Sequence, residues 1–378
     1  MGVQFDRILE PFTGPFEKVG PWNVAPPRGR IAVRAGPGGF VTSGAANDAF
    51  VLANRLLKRG EAVSRLTTPV TVNGAVMPAG SFVFPGRPAS DTAFWNGVGR
   101  LGLHVEAMPS PGAGATTALR GRRIGLWDQY GGSMPSGWTR WILEQFEFPF
   151  ERVFAPALDA GNLNQRFDAL VFVTGAIPGA GGGRGGGRGG RGGGGAADTP
   201  PEGLPAEYRG HFGRITAERT LPQLRTFIEN GGTVIAIGSS AVNLAAFLQL
   251  PLENHLTANG TPLTNTQLYV PGSVLRARVD STHAAAYGMQ THTDFFFDDS
   301  PVFRLGASAD ARGVKRIAWF DTSAPLRSGW AWGQQHLEGG AIAVEAKVGR
   351  GRVLLYAAEI LQRAQPHGTF KLLFNGLF

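Results

Sequence analysis

From Arg123 onward, strand-sized apolar runs alternate with amphipathic stretches long enough for helices, and this order restricts the fold more than any other feature of the chain. Arg123–Trp127, Glu151–Phe154, Ala169–Val173 and Thr233–Ile237 are predicted strands. Between them lie a helix opened by Pro135 and running to about Phe146, and a second over Thr220–Asn230, stopped by Gly231-Gly232. A short helix over Val242–Leu248 follows Thr233–Ile237. Strand, helix and strand in succession demand crossover connections. Crossovers produce a mostly parallel sheet with helices on both faces, that is, a doubly wound, three-layer α/β core. From Gln267 the pattern changes and strands dominate: Val274–Val279, Arg316–Phe320, Ala341–Ala346 and Arg352–Ala357, the last two joined by the turn Gly349-Arg350-Gly351. Phe370–Phe378 is predicted as a closing helix.

The region before Arg123 is organised differently. Residues 1–29 are an irregular segment rich in proline and aromatics. Residues 30–108 read as a small α/β domain. Its predicted elements are strands over Arg30–Ala35, Ala62–Leu66 and Ser81–Phe84, a helix over Asn47–Arg59, a helix over Thr92–Leu101 and an extended Leu103–Ala107. The helix over Asn47–Arg59 places Phe50, Ala53, Leu56 and Leu57 on one face, with Gly60 able to take the left-handed position after it. Asn73-Gly74 between Val70–Val72 and Ala75–Met77 is a two-residue hairpin signal. Residues 109–120 read as a linker, and 121–378 as the second domain.

Within that second domain, residues 179–197 form a foreign insert. Gly179–Gly195 holds thirteen glycines, three arginines and one alanine. It lacks the apolar side chains needed to offset its ordering entropy and is expected to be a disordered, passive insertion. Arginine-glycine boxes that bind RNA usually interleave phenylalanine or tyrosine, and this one has neither, so no nucleic-acid partner is expected. The net charge of +8 accompanies a strong excess of arginine over lysine and 56 glycines, a bias of the kind a GC-rich coding sequence produces.

Several chemistries are excluded or weakened. The chain has no cysteine, which removes disulfides, thiolate nucleophiles and cysteine metal ligands. No apolar run approaches the roughly 20 residues of a membrane span, and Met1–Glu10 has no apolar core of a signal peptide. None of the seven histidines begins a His-x-x-Glu or His-x-x-x-His pattern, so no metal site is expected. The densest group of ligand-type residues is His292 with Asp294, Asp298 and Asp299, read as a solvated loop around Phe295–Phe297. Gly36-Pro37-Gly38-Gly39 lacks the spacing of a phosphate loop, and Pro37 lacks an amide donor.

Two sites remain as candidates. Thr233–Ile237 leads through Gly238-Ser239-Ser240-Ala241-Val242 into a helix, the layout of a nucleophile elbow with its second glycine replaced by Val242. Ser240 would be the nucleophile, and His336-Leu337-Glu338 supplies a His-x-Glu pair. The competing reading has Ser239 or Ser240 capping the following helix and His336 in a surface turn. The second candidate is a ligand cleft at the carboxyl end of the strand Arg123–Trp127, where Asp128, Trp138 and Arg140 are the binding residues.

The stretches RIGLWDQYGGSMPSGWTRWILEQFEFPF (Arg123–Phe150), PGSVLRARVDSTHAAAYGM (Pro271–Met289), SGWAWGQQHLEGGAIAVEAKVGRGRVLLY (Ser328–Tyr356) and RAQPHGTFKLLFNGLF (Arg363–Phe378) resemble the C-terminal region of large bacterial zinc carboxypeptidases of the carboxypeptidase A-like metallopeptidase family. The resemblance covers most of the chain from Ile31 to the end. It implies a flavodoxin-like, class I glutamine amidotransferase-like three-layer core with a small N-terminal α/β domain and a strand-rich C-terminal part. In that family the peptidase domain precedes this region and carries the zinc, so the resemblance implies no cofactor in the present chain. The family's His-x-x-Glu motif matches no stretch here, and no zinc ligand or base carries over.

The function implied is that of a non-catalytic accessory region that packs on, or presents substrate to, a zinc peptidase domain absent from this chain, in an exported protein. A stand-alone sugar- or peptide-binding module and a serine hydrolase using Ser240 and His336 are the alternatives. Met1 is accordingly expected not to be the natural start of the functional protein, with an export signal and the peptidase domain encoded upstream.

Overall fold

A computed structural model of the chain describes residues 8–18, 20, 28–32, 35–87, 91–179 and 200–378. The chain divides into two compact units, Met1–Leu119 and Arg120–Phe378. Most of the Gly/Arg insert lies outside the described residues. So does part of the opening segment, whose described stretch 8–18 carries no helix or strand.

The first unit is built on β1 (Phe40–Thr42), α1 (Asp48–Lys58), β2 (Ser64–Leu66), β3 (Val70–Val72), β4 (Ala75–Met77), β5 (Phe82–Phe84), α2 (Thr92–Arg100), β6 (Val105–Ala107) and β7 (Thr116–Ala118). Its main sheet runs β6-β1-β5-β2-β7 with antiparallel neighbours throughout. Alternation along the strands separates two apolar faces. Phe40 pairs with Phe84, and Thr42 with Phe82; on their face Phe82 meets Phe50 of α1 at 5.0 Å and Phe84 meets Phe94 of α2 at 5.9 Å. Val41 and Val83, on the other face, cluster with Leu66, Val72 and Met108. The β3–β4 hairpin turns through Asn73 (φ 49°) and Gly74 (φ 79°), the two left-handed residues that a tight hairpin of matching twist needs.

Two expectations for this unit differ from the structure. Of Arg30–Ala35, residues 33 and 34 lie outside the described residues, and among the described ones Ile31 forms an isolated bridge to Val105 in place of a strand. The first strand is instead Phe40–Thr42, too short for its periodicity to be read. The stretch 109–120, expected as a linker, contains β7, because the β-branched Thr116 and Thr117 complete the sheet edge beside β2.

The second unit begins β8 (Ile124–Trp127), α3 (Met134–Gln145), β9 (Phe150–Val153), α4 (Ala155–Asp159), α5 (Leu163–Arg166), β10 (Ala169–Phe172), α6 (Ala206–Arg209), α7 (Thr220–Glu229), β11 (Thr233–Ile237) and α8 (Ser239–Phe247). There follow β12 (Leu252–Asn254), β13 (Thr257–Ala258), β14 (Thr261–Pro262), β15 (Ser273–Val279), β16 (His292–Phe297), β17 (Phe303–Leu305), β18 (Val314–Trp319), β19 (Leu326–Ser328), β20 (Ala341–Val348), β21 (Gly351–Tyr356) and α9 (Phe370–Leu377). The central sheet runs β16-β15-β18-β20-β21-β11-β10-β8-β9. From β9 to β21 all neighbours are parallel, and from β21 to β16 all are antiparallel.

Numbered along the chain, the five parallel strands stand in the order 2-1-3-4-5, the flavodoxin-like arrangement. The inner strands β8, β10 and β11 are buried along their whole length, as layers of helix on each face require. Right-handed crossovers place α3 on one face and the β9–β10 connection, α7 and α8 on the other. Phe374 of α9 packs on Phe146 (4.7 Å) and Phe148 (5.0 Å) at the end of α3, which puts α9 on the α3 face. Arg225 of α7 reaches the Phe247 carbonyl at the end of α8 (2.9 Å) on the opposite face. The unit is thus a three-layer α/β core of the flavodoxin-like and class I glutamine amidotransferase-like kind, with an antiparallel, strand-rich extension.

One further reading changes here. Phe295–Phe297, expected in a loop, belong to β16. Phe295 and Phe297 face the interior and pair with Leu275 and Ser273 across the sheet. Three consecutive aromatics hide the alternation that the backbone imposes. Among the described residues no helix is long and apolar enough to cross a membrane.

Candidate functional site

Parallel strands deliver their carboxyl ends to one edge of the sheet, where ligands of doubly wound folds bind. In this unit the edge collects Asp128 after β8, Val173–Ile177 after β10, Gly238-Ser239-Ser240 after β11 and Glu359 after β21.

The turn after β11 has an elbow's backbone. Gly238 adopts φ 59°, ψ −131°, a positive-φ conformation that glycine takes at no steric cost and a side chain takes only under strain. It stands at the strained strand-to-helix turn where an elbow enzyme carries its nucleophile. No side chain fits there: a β-carbon on Gly238 would lie 2.2 Å from Thr174 Oγ1 and 2.5 Å from a Glu359 carboxyl oxygen. The elbow residue is therefore two positions upstream of the serine singled out in the sequence.

Ser240 is fully buried. Its hydroxyl donates to the Val173 carbonyl at 2.6 Å and accepts the Ile177 N–H at 3.0 Å, so it staples the β10 loop to the first turn of α8 and is closed to any substrate. The reading of Ser240 as a nucleophile is corrected on this geometry. The capping alternative is corrected too, because neither serine caps α8 with its side chain; both hydroxyls turn to the β10 loop.

The amides that would form an oxyanion hole are also engaged. In an elbow enzyme one donor is the N–H following the nucleophile, and another comes from a neighbouring loop. Here the Ser239 N–H donates to Thr174 Oγ1 at 3.1 Å, and the Gly175 N–H donates to Ser239 Oγ at 2.9 Å. Asn243 adds a bond from Nδ2 to the Ile177 carbonyl at 2.7 Å. Glu359, beside this cluster, has its carboxyl pushed up to about 7, chiefly by burial and further by the charge of Asp298, against a lowering hydrogen bond with Thr174. It therefore holds a proton to near neutrality.

Among the described residues no hydrogen bond or ion pair links His336 or Glu338 to this group. His336 sits in a 3-10 turn, Gln334–Leu337, and the Glu338 carbonyl meets His255 Nε2 at 3.0 Å. Asp128, at the end of β8, accepts the Gln129 N–H at 2.9 Å and lies 3.7 Å from Arg152. Arg140 pairs with Glu144 at 2.7 Å on exposed α3 and senses the charge of Asp128. Trp138 is 38% exposed. Of the three, only Asp128 lies on the strand-end edge itself.

The residues around His292 diverge. His292 Nε2 meets Asp321 at 3.0 Å, Asp294 meets Arg276 at 3.4 Å, and Asp299 accepts the Val270 N–H at 3.0 Å. Among the described residues no group of three or more such side chains is placed to hold a metal.

Thr174 and Glu359 were not singled out in the sequence, and Ser239 only as a helix cap. Each is the first or second polar residue after a buried parallel strand, and this placement was the available signal.

No family model matches the chain, and no curated protein matches it. Among solved structures the chain is similar to a ThuA-like protein from Bacteroides uniformis, at 8% identity over 67% of this chain and 89% of that one, with a TM-score of 0.35. It is also similar to a GMP synthase-type protein from Thermoplasma acidophilum, at 10% identity over 68% and 92% of the two chains, with a TM-score of 0.38. A glutamine amidotransferase from Thermotoga maritima aligns at 9% identity over 64% and 77%, with a TM-score of 0.33. The fold class rests on the strand order.

Proposed function

We propose that the second unit is a non-catalytic, amidotransferase-like accessory domain, working beside a zinc peptidase domain of the carboxypeptidase A-like kind in an exported protein. One observation carries the non-catalytic part: the elbow position is Gly238, and the space for a nucleophile there is taken by Thr174 and Glu359. The hydroxyl-capped amides of Ser239 and Gly175 support the same reading, since an oxyanion would have to displace both bonds. The peptidase partner, the zinc and the export are proposed from the sequence resemblance. In this reading the chain contributes packing surface or substrate presentation, and the carboxypeptidase chemistry belongs to the partner domain.

The test is a paired assay on the purified chain. Esterase, glutaminase and carboxypeptidase substrates, each with and without added zinc, are expected to be left intact, and a fluorophosphonate probe to leave Ser239 and Ser240 unlabelled. Ser240→Ala is expected to lower stability by about 1–3 kcal/mol, because the Val173 carbonyl and Ile177 N–H lose a buried partner, and to change no activity. Turnover abolished by Ser240→Ala in a chain that remains folded would establish the hydrolase instead. The accessory role is checked by adding a purified carboxypeptidase A-like domain encoded alongside this chain; a complex by analytical ultracentrifugation is expected, and its absence sinks that part of the proposal.

A further inference from the structure

A second site is built from different elements, on the antiparallel extension. The loop after β15 starts beside β18, where the Asp280 N–H donates to the Ile317 carbonyl at 2.9 Å and continues the antiparallel ladder. It borders an open hollow of about 450 Å³, lined by Asp280, Thr282 and His283 and by Lys315, Arg316 and Trp319 of β18. Asp310, in the turn before β18, completes the rim. Lys315 and Arg316 are adjacent in a strand, where neighbours normally point to opposite faces. The register of β18 against β20 shifts just after Arg316, and such an irregularity re-aims side chains; here both cations border the one hollow.

The charges around the hollow are held apart. Asp280 Oδ1 accepts the Thr282 N–H at 3.1 Å and its hydroxyl at 2.6 Å, which fixes the carboxylate through one of its two oxygens. The Arg316 guanidinium lies over the Trp319 ring at 4.8 Å, with Arg278 over the same ring at 5.6 Å. Among the described residues neither aspartate makes an ion pair within 4.0 Å with Lys315 or Arg316. His283 is neutral in its setting. Its Nδ1 accepts the Ala285 N–H at 3.2 Å, which leaves the ring proton on Nε2, 3.6 Å from Glu345. Burial lowers its proton affinity, against the raising charges of Glu345 and Asp280.

We propose that this hollow binds a small zwitterion, a free amino acid or short peptide, with its ammonium between Asp280 and Asp310 and its carboxylate on Lys315 and Arg316. Two anions and two cations that form no direct ion pair with one another favour a ligand carrying both signs. A phosphate would meet two carboxylates, a metal ion would meet two cations, and a neutral sugar would desolvate four charges without compensating any. The volume lies in the range of small-molecule sites. The site does not depend on the elbow, so its test stands apart from the assays of hydrolysis.

The experiment is isothermal titration calorimetry of the full chain with the dipeptide Gly-Ala, with N-acetyl-Gly-Ala and with Gly-Ala-amide. Gly-Ala is expected to bind, and each capped form to bind at least about tenfold more weakly, because each loses one charge-assisted contact. Asp310→Asn and Arg316→Gln, both at exposed positions, are expected to weaken Gly-Ala by a similar factor with an unchanged melting temperature. Three results would overturn the proposal: no heat with Gly-Ala at millimolar concentration, equal binding of the capped peptides, or Gly-Ala binding that neither variant disturbs. Binding of inorganic phosphate or of a neutral disaccharide in place of the dipeptide would also overturn it.

Discussion

Thr174 and Ser239 lock each other in place: the Ser239 N–H donates to Thr174 Oγ1 at 3.1 Å, while the Ser239 hydroxyl takes the neighbouring Gly175 N–H at 2.9 Å. These bonds join the ends of β10 and β11 through side chains, where a catalytic elbow leaves its amides free. Thr174→Val keeps the shape and removes the acceptor. It is expected to cost about 1 kcal/mol in urea denaturation, and Thr174→Ser to restore most of that. Equal stability of the Val and Ser variants would show that the Ser239 N–H is satisfied elsewhere.

Gly238→Ala tests the occupied elbow directly. The backbone there is unfavourable for any side chain, and the added carbon meets both Thr174 and Glu359. Strain and overpacking together are expected to cost roughly 2–5 kcal/mol. The double variant Gly238→Ala/Thr174→Gly is expected to recover part of the loss by clearing the nearest atom. Additive losses in the double variant would mean that backbone strain alone sets the penalty.

The core of the second unit was legible because its strands are buried on both faces and its helices amphipathic. Thr233–Ile237 was read with its observed limits, and the 2-1-3-4-5 order agrees with the alternation of elements. The site was less legible for a local reason. An elbow is recognised by a serine flanked by glycines, whereas the residue that bends the chain here is the glycine itself. Gly238 and Ser240 differ by two positions in sequence, and only φ and ψ distinguish the turn from the first helical residues. Thr174 and Glu359 lie far apart along the chain, and nothing local links them. The strand β16 was missed because Phe295, Phe296 and Phe297 give no polar beat, although the middle one faces outward from the pair that is buried.

Glu359 should make stability depend on pH. Its folded-state value, about 7, lies above the ordinary 4.5 because burial and Asp298 oppose the charge. The folded chain therefore holds a proton that the unfolded chain has released. The associated stability is fully present below about pH 4.5 and is lost as pH rises through 7, up to about 3 kcal/mol in all. Glu359→Gln, a permanently neutral isostere, is expected to flatten the stability profile between pH 5 and 8. A wild-type profile already flat over that window would contradict the assignment.

Lys371 gives the opposite sign in a separate window. It lies on α9, 6% exposed, and burial pushes its ammonium down to about 8 from 10.5. Between these values the unfolded chain binds the proton more readily than the folded one, so stability is expected to rise with pH from about 8 to 10.5. The rise over that window amounts to about 3 kcal/mol at most. Lys371→Met preserves much of the apolar stem and removes the charge. It is expected to abolish the rise above pH 8, while leaving the Glu359-dependent slope at lower pH untouched. Guanidinium denaturation at half-unit pH steps resolves both windows in one series. A Lys371→Met variant whose stability still rises between pH 8 and 10.5 would show that another group titrates in that window.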